Sequence, residues 1–117
     1  MTLDYSKLGG LVPAVVQDAA TREVLMVAFM NEEAYNLTRE TGMATFFSRS
    51  RGKLWTKGET SGNRLVVERL LVDCDQDTVV LLVRRLGEGN VCHTGERTCF
   101  YREVGLPARA AADVRAS

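Results

Sequence analysis

At 117 residues the chain has room for one domain with a real core and not for a second. Its 15 Lys plus Arg balance its 15 Asp plus Glu, so no global field draws it to nucleic acid or to an anionic membrane. The longest apolar runs, "VLMVAFM" and "VVLLV", are too short to span a bilayer.

In chain order, "MTLDYSKLGG" has neither the basic start nor the apolar stretch of a secretory signal. The expected compartment is therefore the cytoplasm, where thiols stay reduced. "LVPAVVQD" (11–18) and "EVLMVAFM" (23–30) are β-branched apolar runs joined by the polar "AATR", and they read as a hairpin. Asn31 stands as an N-cap, Glu32 and Glu33 fill the first turn and Gly42 stops the helix, which gives one short helix over 32–41. "MATFFSRS" (43–50) reads as a strand, with "RGK" as the turn after it. "RLVVERLLVDC" (64–74) and "TVVLLVRRL" (78–86) read as strands on either side of an aspartate-rich segment. "GEGN" (87–90) is a glycine-rich loop, "TCFYREV" (98–104) a last strand and 105–117 a loose tail. Together they make a single strand-dominated α+β domain over 1–117, its core at about 11–104. Several strands are apolar on both faces, which a domain this small rarely covers alone. An intertwined homodimer would cover them, and so would a closed single-chain barrel.

Three segments carry chemistry. Spacing by two sets Asp73, Asp75 and Asp77 on one side of an extended segment and Cys74 on the other. Carboxylates that close repel one another unless a cation neutralises them, and hard oxygen ligands suit magnesium or calcium. The pattern is not an EF-hand, since Thr78 and Arg84 stand where that loop needs glycine and glutamate. A solvated acidic turn accounts for the triplet alone equally well. The cysteines number three, an odd count that leaves at least one unpaired. Cys74, Cys92 and Cys99 form no CxxC knuckle, yet they can supply three zinc ligands with a fourth position open to water, whose pKa zinc lowers to about 7. His93, the only histidine, has three roles open to it: fourth ligand, general base or hydrogen-bonded core residue. In "SRSRGKLWTKGETSGN" (48–63), Arg49, Arg51, Lys53 and Lys57 alternate with hydroxyls and glycines, the groups a phosphate needs, and Trp55 offers a face for a base. A solvated charged hairpin is the plain alternative.

The pieces "PAVVQD", "VLMVAFMNEEA", "FFSRSRGKLWTKGETSGN", "DCDQD" and "CHTGERTCF" resemble, in order over residues 11–102, the phosphoribosyl-AMP cyclohydrolases of histidine biosynthesis. The resemblance implies a cytoplasmic homodimer that hydrolyses the adenine ring of 1-(5-phosphoribosyl)-AMP with a zinc-activated water, giving the formimino-carboxamide ribonucleotide. It implies one zinc per subunit on Cys74, Cys92 and Cys99, with Cys74 contributed by the partner subunit, and one magnesium on Asp73, Asp75 and Asp77. On that reading His93 moves the proton, and Arg49, Arg51, Lys53, Trp55, Lys57, Thr60, Ser61 and Asn63 contact the phosphorylated nucleotide. No nucleic acid or membrane partner is expected. Two departures stand out. "GEGNV" precedes the cysteine–histidine pair where a shorter segment with proline is usual, which should fix Cys92 less rigidly. Phe29 and Phe46 occupy positions where tyrosine is frequent. A zinc nucleobase deaminase would need H-x-E and P-C-x-x-C, and neither is present.

Overall fold

The computed structural model describes residues 2–108. Strands β1 (Val12–Asp18) and β2 (Val24–Met30) pair antiparallel, as their two apolar runs require. The turn between them is closed by the Asp18 carboxylate, which accepts from the amides of Ala20 and Thr21 at 2.8 and 2.9 Å. Helix α1 (Glu32–Thr41) has the expected bounds. The Asn31 side chain accepts from the Ala34 amide, and Gly42, at φ 74°, returns its N–H to the Thr38 carbonyl.

Strands β3 (Thr45–Ser48) and β4 (Lys53–Thr56) form a second hairpin, followed by β5 (Arg64–Val72) and β6 (Val79–Leu86). The main sheet has the order β2-β1-β6-β5, with β1 and β6 parallel at its centre. Its first face meets α1 and the β3–β4 hairpin in one core, built on Val12, Ala14, Val16, Met30, Phe46, Leu65, Val79 and Leu81. Phe46 is fully buried, with the Trp55 ring 5.0 Å from its own. Across the second face the register aligns Val27, Val15, Val80 and Leu71 in one apolar row. Val27 and Leu71 are exposed there at 46% and 40%.

The strand-dominated α+β class holds, with four local corrections. The strand expected over 43–50 is shorter, and Met43 makes only an isolated bridge to Val66. Lys53–Thr56, part of the basic glycine-rich stretch and not assigned to a strand, is one because it pairs residue for residue with β3, making the hairpin that stood as the plain alternative. "TCFYREV" is not a strand. Its Thr98 hydroxyl donates to the Val24 carbonyl at 2.7 Å and accepts from the Phe100 amide at 3.0 Å, bending the chain away from the β2 edge that Cys99 N–H touches at Leu25 O. The aspartate segment is a turn rather than an extended run. Of the tail expected to be loose, 105–108 is exposed and 109–117 lies outside the described residues. No helix among the described residues is long and apolar enough to cross a membrane.

Candidate metal centre

The aspartates sit in the turn joining β5 to β6. Asp73 organises that turn: one carboxylate oxygen accepts from the amides of Asp77 and Thr78 at 3.0 and 3.2 Å, and its carbonyl accepts from the Gln76 amide. Gln76 takes a left-handed φ of 65°, which folds the chain back on itself. Oxygen atoms of Asp73, Asp75 and Asp77 consequently lie within 4.8 Å of one another. Convergence of the three carboxylates was expected from strand alternation; a turn produces it instead.

Sequence spacing gave no sign of Lys7. Its ammonium lies 2.9 Å from both Asp75 Oδ2 and Asp77 Oδ2. The N-terminal segment that brings it is pinned to the same turn, with Asp4 N–H on Gln76 O and the Gln76 amide on Thr2 O. The Lys7 hydrogen bond holds Asp75 down to about pKa 2, and the Lys7 ammonium is held charged well above its ordinary range. Loss of water around Asp73 raises its carboxyl above the ordinary value, against the pull of the Asp77 amide. A cluster that already draws in one cation, through oxygens alone, fits a hard divalent ion.

The thiols lie elsewhere. Cys92 to Gly95 form a tight turn, closed by Gly95 N–H on Cys92 O at 2.9 Å, and Gly95 takes the φ of 94° that this turn needs. Cys92 is buried, with Sγ 3.0 Å from the Thr94 hydroxyl, and that hydrogen bond lowers its pKa. Cys99, tied to β2 through its amide, is exposed but next to Cys92, and partial loss of water around its sulfur raises its thiol pKa. The Lys57 ammonium acts on both thiols, favouring thiolate. Cys74 is exposed in the aspartate turn. Among the described residues only the three aspartates converge as a group of three or more metal-ligating side chains. Neither Cys74 nor His93 therefore completes a three-ligand set with Cys92 and Cys99 inside one chain. His93 is exposed at the tip of the Cys92–Gly95 turn, which removes the core reading for it.

The basic stretch divides. Arg51, Trp55, Lys57, Thr60 and Ser61 line one groove of about 260 Å³ together with Gly58 and Glu59. Arg49 instead lies over the Phe29 ring at 4.3 Å, Lys53 is exposed on β4, and the Asn63 side chain accepts from the Gly89 amide at 3.0 Å.

A sequence profile described as phosphoribosyl-AMP cyclohydrolase matches residues 26–101. Curated proteins of the same description match over most of their length. One from Erythrobacter litoralis is 63% identical over 106 residues, covering 91% of this chain and 82% of its own. One from Desulfatibacillum aliphaticivorans is 59% identical over 102 residues, covering 87% and 81%. This chain belongs to the phosphoribosyl-AMP cyclohydrolase family. The span matched to phosphoribosyl-AMP cyclohydrolase runs from β2 to Tyr101 and takes in every candidate ligand and groove residue named above, while Lys7 lies outside it.

Proposed function

We propose that this chain hydrolyses the adenine ring of 1-(5-phosphoribosyl)-AMP in histidine biosynthesis, working as a cytoplasmic homodimer with one zinc and one magnesium per subunit. Beyond family membership, one observation carries the reading: Arg51, Trp55, Lys57, Thr60 and Ser61 line one groove, and Asn63 just after it accepts a hydrogen bond from Gly89 in the loop that leads to Cys92. A basic groove suited to phosphate is thus joined to the loop that carries a thiol, as a reaction on the base of a phosphorylated nucleotide requires.

Cys92 and Cys99 would hold zinc with Cys74 of a second subunit, and Asp73, Asp75 and Asp77 would hold magnesium. Zinc on three thiolates supplies a Lewis acid that lowers the pKa of water to about 7, and magnesium supplies charge for phosphate oxygens. Arg51, Lys57, Thr60 and Ser61 bind phosphate, while Arg49 and Lys53 add positive charge around the groove. Trp55, half-buried against Phe46, presents a ring on which the base can stack. Held there, the ring loses the freedom to tumble away from the attacking water. Water oxygen adds at ring carbon 6, the bond from carbon 6 to nitrogen 1 breaks, and nitrogen 1 gains a proton. His93, exposed and unencumbered at the turn tip, takes the proton from water and returns it to nitrogen 1.

The test is ring opening of phosphoribosyl-AMP followed by ultraviolet absorbance, in zinc-replete protein and after chelation. Turnover that chelator abolishes and zinc restores is expected. Zinc-replete protein that leaves the ring intact overturns the reading, and ammonia release would point to deamination instead.

A further inference from the structure

The structure holds the "GEGNV" loop before Cys92 through a side chain from elsewhere in the chain. Asn63 ends the turn that follows the basic groove, where Gly62 N–H meets Gly58 O at 2.7 Å and Asn63 N–H meets the Ser61 hydroxyl. Its Oδ1 accepts from the partly buried Gly89 amide at 3.0 Å. Three glycines make room for it. A β-carbon on Gly58 would overlap the Asn63 carbonyl, one on Gly89 would overlap the Asn63 amide group, and one on Gly87 would come within 2.7 Å of Asn63 Oδ1. From Gly89 the connection continues: Arg85 donates to Gly89 O and to Asn90 Oδ1, and the Asn90 amide donates to Gly95 O at 2.8 Å. The Gly95 amide closes the Cys92–His93 turn.

We propose that Asn63 is a positioning residue, joining the phosphate groove to the loop that sets Cys92 and His93. Groove and thiol pair are then coupled through one tertiary hydrogen bond. The consequence for turnover rests on the function proposed above; the tether itself does not.

Asn63→Ala removes the acceptor, whereas Asn63→Asp keeps one. In metal-free protein, thiol labelling resolved by mass should show Cys92 reacting about tenfold faster in Asn63→Ala, the scale of one net hydrogen bond, with exposed Cys74 unchanged. Asn63→Asp should restore slow labelling. Gly89→Ala, which forces the Asn63 side chain out, should behave like Asn63→Ala, and the double variant should be no worse than either, because the two act on one contact. In zinc-loaded protein, kcat should fall in Asn63→Ala with KM nearly unchanged. Wild-type labelling of Cys92 in both Asn63→Ala and Gly89→Ala overturns the tether. A rise in KM alone would make Asn63 a substrate contact and equally overturn it. Inactive wild-type enzyme would defeat the proposed function, yet the labelling comparison would still decide on Asn63. Should Asn63→Ala fail to fold, Gly89→Ala and Asn63→Asp make the same comparison.

Discussion

Lys7 does for Asp75 and Asp77 what a divalent cation would do, with a tethered monovalent charge. Lys7→Met should therefore release Asp75 from about pKa 2 towards its ordinary 3.8, measured by carboxyl carbon chemical shift against pH. The sign follows from linkage. A carboxylate lowered in the folded state adds stability above about pH 4 that is lost as pH falls towards 2, so the variant should lose that acid-side increment. Because ammonium and magnesium would compete for the same oxygens, Lys7→Met should also tighten magnesium by about two- to fivefold by calorimetry, the scale of an exposed ion pair. Weaker magnesium binding would mean that Lys7 organises the site rather than competes for it. His93 belongs at this scale too. With its ring exposed at the turn tip, His93→Ala should lower kcat by about a hundred- to ten-thousand-fold while zinc content holds. Loss of zinc in that variant would make it a ligand. That Asp73, Asp75 and Asp77 share one site was legible from their spacing. Lys7 was not, because nothing local to "DYSKLGG" records that its backbone docks on a turn some seventy residues away.

Among elements, α1 was readable because its stop and start signals are local. Asn31, two glutamates and a left-handed Gly42 each act within one turn of the helix end. Asn31→Ala should accordingly cost about 1 kcal/mol by denaturant unfolding, and little or no loss would mean that packing of Ala34 and Tyr35 alone sets the helix start. The β1–β2 hairpin was readable for the same reason. Not every element was. Lys53–Thr56 is too short to declare itself among the charges and glycines around it, although its partner β3 is only a turn away. "TCFYREV" has strong strand composition and is not one, since Thr98 spends its hydroxyl on the β2 edge and exposed Phe100 and Tyr101 find no strand to pair with. The aspartate turn shows the same limit, in that period two brought the right residues together for the wrong reason.

For the whole molecule, the parallel pairing of β1 with β6 was beyond local reading, because about sixty residues separate the two strands and no short-range signal names the partner. The two-faced apolar pattern was legible, and the row Val27, Val15, Val80 and Leu71 is its outcome. Such a row, partly open to water, is what a second subunit would cover. Cys74 meanwhile stands apart from the Cys92–Cys99 pair within one chain. Both facts have one solution if each zinc site takes Cys74 from one subunit and Cys92 with Cys99 from the other. Cys74→Ser and Cys92→Ser should then each be inactive and poor in zinc. Unfolded and refolded together, they should form mixed dimers in which one site joins the intact Cys74 of the Cys92 variant to the intact Cys92 and Cys99 of the Cys74 variant. That site is whole, while the other lacks two ligands. Zinc and turnover should return at about one working site per mixed dimer, provided the sites act independently. If each chain held zinc by itself, every chain in the mixture would stay defective. Mixed dimers verified by differential tagging, yet empty of zinc and inactive, would sink the shared site.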